Sequence, residues 1–134
     1  NGRRYVFWDT SGLYHTKDAE KLHDILDSFR TKDKIQIINI YVFNLTEYEQ
    51  IQYAIEAHTK ECHEKGYIAL AFATRGDKLN STERRNLNAE MSRIFGIPIK
   101  VFDLTLAPVE EIIEFIEMGE TNTIYKMNKT KKDL

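Results

Sequence analysis

Three stretches of this chain gather side chains suited to binding an anion. The richest is Thr74-Arg75-Gly76-Asp77-Lys78-Leu79-Asn80-Ser81-Thr82, which runs on into Arg84 and Arg85. Two cations, a glycine and several hydroxyls just ahead of a helical pattern supply what phosphate oxygens need: charge, close backbone approach, and the N–H groups of a helix start. The second stretch is Asp9-Thr10-Ser11-Gly12-Leu13. Its small hydroxyls and glycine let backbone N–H groups approach a phosphate or ribose, although the same composition also suits a plain turn. In the third, Phe43-Asn44-Leu45-Thr46, Asn44 could read a base or a ribose while Thr46 caps a helix.

Other chemistries are less well served. Hard divalent ions need three or four carboxylates converging on one point, and only Asp9, Asp77 and Asp103 fall at comparable places in the pattern, Asp77 among cations. His58 and His63 stand five apart on one helical stretch, a spacing that does not align them on a shared ion, and His15 and His23 suggest surface positions. Cys62, the single cysteine, shares an apolar stripe with Ile55 and His58, which reads as a buried, inert thiol. No metal and no cofactor is expected.

The elements that must position these stretches follow from periodicity. Tyr5 to Trp8 is a short apolar run that ends at Asp9, and Lys17 to Arg30 carries Ala19, Leu22, Ile25, Leu26 and Phe29 at helical spacing. Ile35 to Phe43 is nearly continuous in β-branched and aromatic residues, as a strand buried on both faces would be. Thr46 and Glu49 read as a capping box for a helix ending at Gly66. Tyr67 to Ala73 is a third strand, and Asn80 with Glu83 opens a helix that Gly96 closes. Ile97 to Phe102 is a fourth strand. Pro108 sits in the first turn of a last helix, ended by Gly119, after which Thr123 to Met127 reads as a short strand-like stretch before a flexible basic tail. No internal repeat stands out.

Regular β-α alternation predicts an α/β fold: a Rossmann-like parallel sheet of at least four strands with helices on both faces. Residues 1–119 would form that ligand-binding domain and residues 120–134 the strand-like stretch and tail. In such sheets ligands bind beyond the carboxyl ends of the strands, where all three stretches fall.

With 134 residues and 42% hydrophobic content the chain can build one core, and a single cysteine fits a reducing, cytoplasmic setting. A net charge of -2 gives no general attraction to DNA or to anionic membrane, so any polyanion must be held by a local cluster of cations. No apolar run approaches the roughly 20 residues a membrane span requires. Arg3 and Arg4 would nonetheless suit the cytoplasmic flank of a membrane helix preceding the chain.

Ala73-Thr74-Arg75-Gly76-Asp77-Lys78-Leu79 resembles the Thr-Gly-Gly-Thr-Lys loop of CRISPR-associated Rossmann-fold (CARF) domains, which also follows a strand and opens a helix. The sequence departs from that pattern at Arg75 and Asp77, where glycine and threonine are usual. The resemblance implies a sensor, not an enzyme, that holds a cyclic oligoadenylate across the axis of a homodimer and relays it to a fused effector, membrane-bound or soluble. It assigns Thr74, Arg75, Gly76, Lys78 and Ser81, with Asp77 in the same loop, to phosphates and riboses, and Thr10, Ser11 and Gly12 to the second contact; Asn44 lies beside them. Slow cleavage of the ring is compatible with such a site. Trp8, Tyr14 or Phe43 could stack on adenine.

Val6-Phe7-Trp8-Asp9-Thr10-Ser11-Gly12-Leu13-Tyr14 also resembles the first acidic strand end of PIN and NYN ribonucleases. That resemblance implies a metal-dependent nuclease with Asp9 at its centre, but the later strand ends offer Asn44, Thr74 and Asp103 instead of a full acidic set. The likeness of Asp9-Thr10-Ser11 to the metal-adhesion loop of von Willebrand A domains is slighter, because Leu13 stands where a second serine belongs. A phospho-receiver would need an acidic pocket that the sequence does not display.

Overall fold

β-branched and aromatic residues fill Ile38–Asn44 and alanines alternate with large apolar residues through Ile68–Thr74, and both segments are strands, β1 and β2. The computed structural model describes Asp24, Ile25, Ser28 and residues 36–133. The strand expected at Tyr5 to Trp8 and the loop with Asp9, Thr10, Ser11 and Gly12 lie outside the described residues. Asp24, Ile25 and Ser28, within the helix expected from Lys17 to Arg30, are helical.

From residue 37 onward the chain forms a unit of its own. A third, three-residue strand, β3, is Ile99–Val101, and the sheet order is β1-β2-β3 with both pairings parallel. Helix α1 (Tyr48–Lys65) joins β1 to β2, helix α2 (Ser81–Phe95) joins β2 to β3, and helix α3 (Val109–Asp133) follows β3. Among the described residues this is an α/β fold with a three-stranded parallel sheet.

The alternation along β2 divides its two faces. Ala69, Ala71 and Ala73 join a buried cluster with Ile55 and Cys62 of α1 and Met91 and Phe95 of α2. Leu70 and Phe72 point the other way, toward α3, with Phe72 edge-on to Phe102 and Phe102 edge-on to Phe115. Helices therefore cover both faces, as expected, and a strand buried on both sides has no polar face to show.

Gly119 does not end the last helix. It lies in the middle of α3 and faces Leu70, whose Cδ2 would be 2.5 Å from a Cβ at this position. The glycine permits the helix to sit close on the sheet. The expectation of a strand-like stretch at Thr123 to Met127 and a flexible tail is likewise corrected, because α3 continues to Asp133. Threonine spacing mimics a strand here, but Thr123 donates its hydroxyl to the Gly119 carbonyl at 2.7 Å, a bond that helices accommodate.

The outer edge of β3 is closed by side chains of α2. The Ile99 N–H donates to Ser92 Oγ at 3.0 Å, that hydroxyl donates back to the Ile99 carbonyl at 3.2 Å, and the Val101 N–H donates to Asn88 Oδ1 at 2.7 Å. Unpaired ladder groups invite another strand, and here a helix satisfies them instead. No helix among the described residues is long and apolar enough to cross a membrane.

Candidate functional site

Each described strand ends in a 3-10 turn, and the three turns lie side by side at the carboxyl edge of the sheet. Two of them are the same device. After β1, Asn44 Oδ1 accepts from the Thr46 N–H at 3.0 Å and from the Thr46 hydroxyl at 2.7 Å. After β3, Asp103 Oδ1 accepts from the Thr105 N–H at 3.0 Å and from the Thr105 hydroxyl. Phe43-Asn44-Leu45-Thr46 and Phe102-Asp103-Leu104-Thr105 are thus a four-residue echo, built on the tendency of Asn and Asp to bond the backbone two residues on. The echo is too short to be seen as a repeat in the sequence.

This geometry revises the expectation for Thr46. Thr46 was expected to cap α1 in a box with Glu49, but the residue before that helix is Glu47, which makes no side-chain cap, and Thr46 is itself the group being capped. Asn44, which the sequence offers as a possible reader of a base or ribose, has its side-chain oxygen engaged in the turn.

The turn after β2 is constructed differently. Arg75 is in the left-handed backbone region at φ 65°, a conformation that costs a residue other than glycine about 1 kcal/mol or more. Gly76 is buried, and its N–H donates to the Phe102 carbonyl at 3.0 Å. A Cβ at Gly76 would stand 2.7 Å from Val101 Cγ1 and 2.9 Å from the Phe102 carbonyl oxygen, so only glycine fits between the loop and β3. Arg84 of α2 closes the underside, donating through Nη1 to the Gly76 carbonyl at 3.1 Å and to the Leu79 carbonyl. Thr74 donates its hydroxyl to the Phe43 carbonyl at 3.4 Å, tying the strand end to β1.

The backbone of this loop is therefore braced from within, and its charged side chains project outward. Arg75, Asp77 and Lys78 are exposed, and Arg75 Nε is 3.4 Å from Asp77 Oδ1. Ser81 is exposed at the first position of α2. The helix start beside it is occupied: Asn80 Oδ1 accepts from the Glu83 N–H at 2.8 Å and Glu83 Oε1 accepts from the Asn80 N–H at 3.0 Å, the expected capping box. A carboxylate already sits on that positive helix end, so any phosphate here relies on the loop cations more than on the helix dipole.

Of the residues singled out in the sequence, Asn44, Thr74, Arg75, Gly76, Asp77, Lys78 and Ser81 are brought to one edge, while Thr10, Ser11 and Gly12 lie outside the described residues. Arg84, into which the stretch runs, braces the loop from a half-buried position on α2, a role the sequence reading did not assign. Among the described residues no group of three or more His, Cys, Asp or Glu could hold a metal ion.

Away from the edge, the His58 ring of α1 is tilted against Tyr41, ring centroids 5.8 Å apart, with Nε2 3.0 Å from the Leu70 carbonyl oxygen. That bond makes Nε2 the protonated nitrogen and leaves Nδ1 to accept from the Cys62 thiol, 3.8 Å away. His58 thus flanks Cys62 as a base. Burial still dominates, with help from Glu61: the thiol is pushed up to about 12, and it is 1% exposed, so the sulfur is inert. Burial also lowers the His58 pKa, against the opposing effects of the Leu70 carbonyl and Glu61.

No family model, no curated protein and no solved structure matches this chain.

Proposed function

We propose that the carboxyl edge of the sheet is a receptor for a phosphodiester ligand, and specifically for a cyclic oligoadenylate such as cyclic tetra-adenylate. The observation that carries this reading is the loop after β2: its backbone takes the left-handed turn at Arg75, where the loop it resembles has glycine, and Gly76 wedges against β3 where no side chain fits. The left-handed backbone at Arg75 is the conformation a glycine at that place would favour, which supports the likeness at the first of the two departures, and Asp77 changes what the loop displays. Arg75 and Lys78 are carried on a braced backbone, so the loop itself needs little further ordering on binding.

In this proposal the domain is a CARF-like sensor of type III CRISPR antiviral defence with a Rossmann-like sheet of at least four strands. A homodimer doubles Arg75 and Lys78 around its axis, matching a ring that repeats its phosphates by symmetry. The protein works in the cytoplasm, and the ligand acts by rearranging the dimer and, through it, a fused effector. The ribonuclease reading finds less support, since Asp103 is engaged in its own turn and Asp77 faces Arg75.

The test is equilibrium binding of cyclic tetra-adenylate without divalent ions. Arg75→Ala and Lys78→Ala are each expected to weaken binding by roughly tenfold to a hundredfold, the loss of one charge-assisted hydrogen bond, with unfolding midpoints unchanged. Unaltered affinity in both variants overturns the site assignment.

A further inference from the structure

Of the charged groups on the loop after β2, Asp77 has the wrong sign for an anion receptor. It is also less exposed than the Arg75 it faces. Its side chain is 32% exposed against 55% for Arg75, and its Oδ1 stands 3.4 Å from Arg75 Nε. The residue between them, Gly76, is fixed on both sides, by its N–H on the Phe102 carbonyl and by Arg84 on its own carbonyl. The backbone between the two charges is therefore held by the fold, which keeps Asp77 beside the Arg75 side chain.

We infer that Asp77 is a built-in counter-ion for Arg75, against which an incoming phosphate must compete. This deepens the proposed phosphodiester site and rests on that reading. The contact engages the guanidinium through Nε, and a guanidinium presents five N–H groups in a planar fork. A phosphate can thus approach the Nη side while Asp77 still holds Nε, but it does so next to a carboxylate and is repelled by it. With Asp77 in place the loop from Thr74 to Lys78 carries two cations and one anion. A ligand that brings a single negative charge gains little there. One that delivers phosphates to Arg75 and Lys78 together, and does so again in a second copy, outweighs the repulsion. Asp77 in this way sets a threshold that favours a cyclic, multiply charged ligand over simple anions.

The experiment is titration of cyclic tetra-adenylate into the whole chain and into two variants that each remove one carboxylate from the same sheet edge. Asp77→Asn is isosteric and removes the competitor, whereas Asp103→Asn keeps the turn after β3, because asparagine forms the same turn after β1. At low salt Asp77→Asn is expected to bind about twofold to fivefold more tightly, the range an exposed ion pair supports. Asp103→Asn is expected to bind as the unaltered chain does. Unchanged or weaker binding in Asp77→Asn, or an equal gain in both variants, overturns the inference and leaves the site standing. Absence of binding by the unaltered chain brings down the functional reading itself, and this inference with it.

Discussion

The turns after β1 and β3 and the turn after β2 occupy equivalent places in the fold, yet they use their polar residues in opposite ways. Asn44 and Asp103 fold back on Thr46 and Thr105, so their oxygens hold the chain in its turn. After β2 the backbone is held by groups that lie beneath it, the Phe102 carbonyl and the Arg84 guanidinium, and Arg75, Asp77 and Lys78 are left to face outward. A polar residue at a strand end is available for a ligand only where something else stabilises the turn.

That contrast can be broken at several points. The largest effect is expected at Gly76→Ala, which sets a methyl against Val101 Cγ1 and the Phe102 carbonyl oxygen; overpacking of this kind costs about 3 kcal/mol in urea unfolding and disorders the loop. A loss below about 1 kcal/mol would show that the close approach to β3 is not needed. Asn44→Ala and Asp103→Ala each remove a turn's internal bonds and are expected to cost about 1 kcal/mol of stability while leaving ligand affinity unchanged. If either variant instead lost affinity at full stability, the division between structural and outward-facing turns would be wrong.

Arg75→Gly sharpens the comparison from the other side. Glycine relieves the left-handed backbone at φ 65° but forgoes the contact with Asp77, so the net gain in stability is expected to be roughly 0.5 kcal/mol, accompanied by loss of binding. Stability and function then move in opposite directions at one residue. A destabilised Arg75→Gly protein would contradict the reading of strain held for a ligand.

The smallest effect at neutral pH belongs to His58, away from the edge. Its folded-state pKa lies below the ordinary histidine value, so the unfolded chain takes up a proton first as the pH falls. The contribution is complete above about pH 6.5 and is lost progressively below it, toward the lowered folded value. Urea midpoints from pH 8 to 5.5 should fall more steeply for the unaltered chain than for His58→Gln, and parallel curves would refute the assignment.

The alternation of strands and helices was legible because it rests on burial: β1 and β2 are dense in apolar residues, and Gly66, Gly96 and the Asn80-Glu83 box mark helix ends as expected. Asn80 and Glu83 satisfy each other locally, three residues apart, which is why that motif could be read directly. Gly119 could not be read, because its reason is a contact with Leu70, forty-nine positions away in the chain, and a glycine needed for close approach looks like one that ends a helix. Asn44, and not Thr46, is the capping residue because both are good caps and only the backbone geometry decides which oxygen accepts. The bracing role of Arg84 could not be read, since sequence shows its charge but not the two carbonyls it faces.

The most direct measurement is a chemical-shift map of backbone amides during titration with cyclic tetra-adenylate. Saturable shifts centred on Arg75 to Leu79, with Thr46 and Thr105 unmoved, are the predicted result. Shifts centred on the turns after β1 and β3, or no shifts in any of the three, would contradict it.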